Sequence, residues 1–128
     1  MKIGKIDISK LTTPPLKSEF LTAKFLATKG KDIEFIPPSQ IAHSRTPDIV
    51  MEGLKWEIKN PRKNGKYTLD HAMKSALKQS NYVIFDLRKC DIPEQTAVNK
   101  LKKDFDTVKK LKRLKIITKS QKLLHFDK

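Results

Sequence analysis

Residues 47 to 59 read Pro47-Asp48-Ile49-Val50-Met51-Glu52-Gly53-Leu54-Lys55-Trp56-Glu57-Ile58-Lys59. Asp48 ends a polar loop and opens a short apolar run, and Glu52-Gly53 is a turn dipeptide. Beyond the turn, Leu54, Trp56 and Ile58 alternate with Lys55, Glu57 and Lys59. Strict alternation predicts a half-buried strand, apolar on one face and charged on the other. Glu57 and Lys59 then project from one face, and a hairpin through Glu52-Gly53 brings Asp48 beside Glu57. Two carboxylates and an ammonium on a rigid sheet can hold a divalent cation and a phosphate together. A charged strand face is also what an ordinary antiparallel hairpin turns to solvent, so the rest of the chain has to separate the two.

Upstream, residues 1 to 16 form an N-terminal arm or edge strand ending in Pro14-Pro15. Ser18 is a helix N-cap candidate, followed by an apolar stripe from Phe20 to Ala27 and closed by Gly30. Glu19 sits in the first turn of this helix, where a carboxylate suits the positive end of the dipole. Asp32 to Ile36 is a short strand, and Ser39 to Thr46 a polar loop with His43 and Arg45. Downstream, Asn60-Pro61 stops the hairpin strand. Thr68 can cap a helix whose apolar face is Leu69, Ala72, Met73, Ala76 and Leu77, with Gln79 off that face. Tyr82 to Leu87 is a continuous apolar run, the pattern of a central strand. Pro93 is placed to begin a long helix running to Arg113, with Ala97, Leu101, Phe105, Val108 and Leu111 as its buried stripe and lysines over the remainder. Lys115 to Thr118 and Lys122 to Phe126 form a closing hairpin. The order is helix, strand, hairpin, helix, strand, helix, hairpin: an α/β mixed central sheet flanked by helices.

The 128 residues fit one domain, 1 to 128, with no linker or internal repeat. Hydrophobic content is 38% and charged content 33%, too much charge for a membrane protein, and no apolar run approaches a bilayer span. Met1 to Ser9 lacks the apolar core of a secretory signal, so the chain as given stays in the compartment where it is made, unless cut from a longer secreted protein. Cys90 is the only cysteine, which excludes an internal disulfide and a thiolate metal cluster. The net charge of +14 narrows the partners to polyanions, nucleic acid first. Lysines outnumber arginines, which suits contact with backbone phosphates better than reading of base edges.

This element order, with Pro47-Asp48 and Glu57-Ile58-Lys59, resembles the PD-(D/E)XK nuclease superfamily, whose members share an αβββαβ core. Glu19 matches the acid its members often carry on the first helix, and the likeness covers about residues 17 to 88. Within the superfamily, Pro47 to Arg62 and the segment from Thr68-Leu69 through Gln79-Ser80 to Leu87-Arg88 look most like the tRNase toxin tips of CdiA-type contact-dependent growth inhibition proteins. The C-terminal helix and strands lie outside the likeness.

The resemblance implies Mg²⁺ or Mn²⁺ held by Asp48, Glu57 and the Ile58 carbonyl, since hard cations prefer oxygen donors. Lys59 would orient the attacking water or take its proton, and Glu19 would complete the shell; as a plain helix-start acid it would have no such role. Arg45, Thr68 and Gln79 are candidates for substrate contact, as are Lys109, Lys110 and Lys112 on the lysine-covered helix. The implied activity is hydrolysis of tRNA in the cytoplasm of a target cell, with an acidic immunity protein as inhibitor. A DNA endonuclease of restriction or junction-resolving type remains the alternative in the same chemistry, and a non-catalytic basic nucleic-acid-binding module the alternative outside it.

Overall fold

The computed structural model describes residues 2–41 and 45–128; His43 lies outside them. A two-residue strand β1 (Ile6–Asp7) precedes helix α1 (Lys17–Thr28), strands β2 (Ile33–Phe35), β3 (Ile49–Met51) and β4 (Leu54–Lys59), helix α2 (Thr68–Leu77) and strand β5 (Tyr82–Asp86). Helix α3 (Glu94–Thr107) and strands β6 (Arg113–Ile117) and β7 (Leu123–Asp127) complete the chain. The segment from α1 to β5 has the expected αβββαβ order. All strands join one seven-stranded sheet in sequence order, parallel at β1/β2, β4/β5 and β5/β6 and antiparallel elsewhere.

The β3–β4 hairpin turns where the dipeptide is. Glu52 and Gly53 adopt φ of 56° and 76°, a left-handed pair whose twist matches that of the flanking strands. Helix α1 stops at a second positive-φ glycine, Gly30 at 85°. The Gly30 N–H bonds the Ala27 carbonyl at 3.0 Å and the Lys31 N–H that of Leu26 at 3.2 Å, so orphan carbonyls of the last turn are satisfied.

The two faces of the sheet carry separate cores. Helix α1 covers one, packing Ala23 and Leu26 over Phe35, Ile49, Trp56 and Ile58. Helices α2 and α3 cover the other, with Met73, Ala76 and Leu101 over Val83, Phe85, Leu114 and Ile116. Ile84 belongs to the α1 side and its neighbours Val83 and Phe85 to the α2 side. Coverage of both faces is why β5 reads as an unbroken apolar run. Residues after 88 are not an appendage, because β6 and α3 supply much of the second core.

Several local expectations are corrected. Ser18 lies inside α1; the N-cap is Leu16, without a side-chain bond. Pro93 is the N-cap of α3, not its first helical residue. Thr68 is the first residue of α2, with Tyr67 as cap. Helix α3 ends at Thr107, and Val108 is already extended at φ −94°, ψ 104°. Lys109, Lys110 and Lys112 therefore lie in the turn before β6, exposed but off the helix. The chain must return to the sheet there. Leu111 is fully buried and the Lys112 N–H bonds the Asn81 carbonyl at 2.9 Å, so tertiary packing overrides a helical pattern.

Candidate active site

The hairpin register sets Ile49 opposite Trp56, which puts Asp48 opposite Glu57. The Asp48 N–H donates to the Trp56 carbonyl at 2.9 Å, and the Ile58 N–H donates to Asp48 Oδ2 at 2.7 Å. The Asp48 carboxylate is thus clamped to the backbone of β4. Trp56, on the α1 side, is fully buried and donates its indole N–H to the Met51 carbonyl, as expected of a core residue.

Glu57 departs from expectation. The alternation predicts a solvated charged face, but α2 lies over it and Glu57 is only 4% exposed. Its Oε2 is 3.5 Å from Lys59 Nζ, which also donates to Ser75 Oγ of α2 at 3.1 Å. Its Oε1 is buried without a hydrogen-bond partner. Burial first, then the negative charge of Asp48, pushes the Glu57 carboxyl up to about 8, with Lys59 opposing. Burial likewise raises Asp48, against the bond from the Ile58 N–H. Glu19 joins from the first turn of α1: burial and Asp48 raise its carboxyl to about 7. Asp48 therefore stands in a chain of three acids, its charge raising the carboxyls of Glu19 and Glu57.

A cavity of about 410 Å³ opens beside this chain, bordered among others by Glu19, Pro47, Asp48, Arg45 and Gln79. The structure so brings Arg45 and Gln79 to one cavity with Glu19 and Asp48; Glu57 and Lys59 do not border it. Thr68 is not among the residues bordering that cavity. Lys109, Lys110 and Lys112 are not among the residues bordering it either. The Lys112 N–H pairs with Asn81, ahead of β5, whereas Lys59 lies opposite Phe85 near the far end of that strand.

Two features of this region escaped the sequence reading. Asn60, Thr22, Asp86 and Arg88 form one network: Asn60 Nδ2 donates to Thr22 Oγ1 at 2.9 Å, and Thr22 Oγ1 donates to Asp86 Oδ2 at 2.6 Å. Arg88 meets both Asp86 oxygens, through Nε at 3.0 Å and Nη2 at 2.8 Å. An aspartate ending an apolar strand with an arginine two residues on was the available signal. The second feature is Lys115, 2% exposed over the Trp56 ring, whose Nζ pairs with Glu52 at 3.1 Å.

Among the described residues no three His, Cys, Asp or Glu side chains converge as a preformed metal cage. The donor chemistry nevertheless fits a hard divalent cation. Its groups are carboxylate oxygens, burial raises the pKa of both Asp48 and Glu57 against the pull of Lys59, and Glu57 Oε1 is an acceptor with nothing to accept from. Cys90 is buried and free, so no thiolate competes for the cation.

Fold and site together define a mixed α/β domain built around a buried carboxylate–lysine centre. The family model described as the contact-dependent growth inhibition CdiA C-terminal domain matches residues 45–123, a span that holds Asp48, Glu57 and Lys59 but not Glu19. The chain belongs to this family, the C-terminal toxin domains of contact-dependent growth inhibition systems. It is similar in fold to a chain of the solved CdiA-CT/CdiI toxin and immunity complex from Burkholderia pseudomallei, with a TM-score of 0.69 and 18% identity over 98% of this chain and 100% of that one. No curated protein matches the chain by sequence.

Proposed function

We propose that this toxin domain is a metal-dependent nuclease of the PD-(D/E)XK type, cutting structured RNA and above all tRNA in the cytoplasm of a target cell. The observation that carries this reading is Glu57, a buried carboxylate with an unpartnered oxygen, held against Asp48 and within 3.5 Å of Lys59. Such an arrangement costs folding energy unless a cation joins it. Asp48 and Glu57, with the Ile58 carbonyl, would hold Mg²⁺ or Mn²⁺, which when bound lowers the pKa of water and offsets charge on the phosphate. Lys59, steered by Ser75, holds the attacking water or a phosphate oxygen. Glu19, with a pKa of about 7, is suited to hold or release a proton beside Asp48 at neutral pH. Arg45 and Gln79 meet the substrate at the mouth of the cavity.

The net charge of +14 and the lysine-rich surface favour a folded polyanion recognised by shape. The complex that resembles this chain pairs a toxin with an immunity protein. By the same logic this chain is inhibited by a cognate partner, an acidic one that the surplus positive charge attracts in a salt-sensitive way. One gel tests the core of the reading: purified protein with total tRNA, plasmid and single-stranded DNA, with Mg²⁺ or with EDTA. Cleavage of tRNA that needs Mg²⁺ and outpaces plasmid cleavage is the expected result. Undiminished cutting in EDTA would overturn the metal mechanism, and faster cutting of plasmid would assign the enzyme to DNA.

A further inference from the structure

A second cavity, of about 420 Å³, lies outside the carboxyl ends of β4 and β5. Lys17 and Ser18 of α1, Asn60 and Arg62 after β4, and Arg88 and Lys89 after β5 border it. In open α/β sheets the space beyond the carboxyl ends of parallel strands is where ligands bind. Its charge is one-sided. Asp86, the only acid bordering it among the described residues, is already neutralised by Arg88 in a two-pronged pair. Lys17, Arg62 and Lys89 are exposed, and no ion pair among the described residues involves them. Three cations around one concave space, with their charge uncompensated, are a site for an anion.

The cavity also has a fixed relation to the carboxylate centre. Ser18 borders it while Glu19, the next residue, borders the cavity beside Asp48. Asn60 borders it while Lys59, the preceding residue, faces Glu57. Consecutive Cα atoms are about 3.8 Å apart. The first turn of α1 and the end of β4 therefore each present one side to the carboxylates and the other to the cationic cleft. The Asn60–Thr22–Asp86–Arg88 network holds this wall in place: Thr22 and Asp86 are buried, and the Arg88 guanidinium also donates to the Leu21 carbonyl at 3.1 Å.

We infer that this cleft is a second substrate site, taking the phosphodiester backbone that flanks the bond held at the carboxylates, with Lys17, Arg62 and Lys89 as its phosphate contacts. The inference rests on the nuclease reading for its choice of ligand, but its test is a binding measurement. The lysines at 109, 110 and 112, at the other end of the sheet, then contribute general attraction and not register.

The test compares Arg62→Ala/Lys89→Ala with Lys109→Ala/Lys110→Ala/Lys112→Ala, both in a Glu57→Gln background that keeps RNA intact. The probes are total tRNA and a labelled single-stranded oligoribonucleotide, titrated at several salt concentrations. All five positions are exposed, so melting temperatures should match the parent. The cleft pair is expected to weaken binding roughly tenfold and to lower the salt slope by about 0.7 per lost phosphate contact. With Glu57 restored, the same pair should raise KM with little change in kcat. Unchanged affinity and slope in the cleft pair would overturn the inference, as would loss of affinity for an immunity partner with RNA binding intact. RNA bound through the cleft but never cut would refute the nuclease reading alone and leave the cleft standing.

Discussion

Glu57 and Asp86 sit on neighbouring parallel strands and are buried alike, 4% and 5% exposed. The fold treats them in opposite ways. Asp86 accepts from Thr22 Oγ1, from the Arg88 guanidinium at both oxygens and from the Arg88 N–H at 3.2 Å. Burial alone would raise its pKa, but those partners outweigh it and the carboxyl is held below the ordinary range. Glu57 has one ammonium at 3.5 Å, a second carboxylate beside it and an orphan oxygen. Equal burial thus yields a charge that is fully satisfied in one place and a charge deficit in the other. The difference separates two roles: the satisfied carboxylate ties elements together, and the unsatisfied one is the group we propose as a cation ligand.

The largest effect expected from breaking this contrast is on catalysis. Glu57→Gln keeps the volume and removes the charge, and should lower cleavage by roughly 10²- to 10⁴-fold. Lys59→Ala should act in the same direction. Thermal unfolding of Glu57→Gln should be little changed at neutral pH, because an amide replaces a carboxyl that already keeps its proton there. A clear loss of melting temperature with retained cleavage would mean that Glu57 is the structural member of the pair.

Asp86→Ala should show the converse. Removing it strands the half-buried Arg88 and empties the Thr22–Asn60 network, at a cost of about 3 kcal/mol. The measurement is denaturant unfolding, and a cost under about 0.5 kcal/mol would show that the network binds nothing together.

The two carboxylates also respond to pH with opposite sign. The Glu57 pKa is raised to about 8 from 4.5, so between those values the folded chain keeps a proton that the unfolded chain releases. Stability should therefore fall as pH rises through that window, and Glu57→Gln should flatten the fall. Asp86 is depressed below 3.8, so its contribution is present above that value and is lost as pH drops below it. Melting temperatures of the metal-free protein across this range, with and without Glu57→Gln, decide the first sign. Asp86→Asn in acid decides the second.

A smaller expected effect is the response to metal. At ten times its dissociation constant Mg²⁺ should add about 1.4 kcal/mol, or about 5 °C in Tm, to the wild type. It should add nothing to Glu57→Gln, and Asp86→Asn should respond like the wild type. Equal shifts in wild type and Glu57→Gln would move the cation away from this centre.

The hairpin, the αβββαβ order and the neighbouring of Asp48, Glu57 and Lys59 were legible because each rests on a local rule. Alternation gave the strand face, Glu52-Gly53 the turn, and the turn the register. Trp56 was legible as core for the same reason. Alternation could not reveal whether the charged face is wet. A period of two separates faces but does not count layers, and it is α2, packed through Met73 and Ala76 beside Ser75, that makes Glu57 a buried acid. The end of α3 was misread because Val108, Leu111 and the lysines continue a helical pattern, whereas the Asn81 carbonyl and a buried site for Leu111 draw the chain back to the sheet.

What the residues carry on their own is the chemistry available: carboxylates and a lysine at hairpin spacing, a large positive charge, and no thiol cluster. What the packing alone decides is which charges are solvated and which are not. Glu57 and Asp86 are both acids in β-strands, and no pattern in the chain tells how the charge of each is met. Only the meeting of Thr22, Asn60 and Arg88 around Asp86 makes it a strut, and only burial beside Asp48 and Lys59 leaves Glu57 with a raised pKa and an unpartnered oxygen. Those meetings join residues distant in the chain, and the electrostatics of a buried carboxylate depends on its few ångströms of surroundings more than on its sequence neighbours.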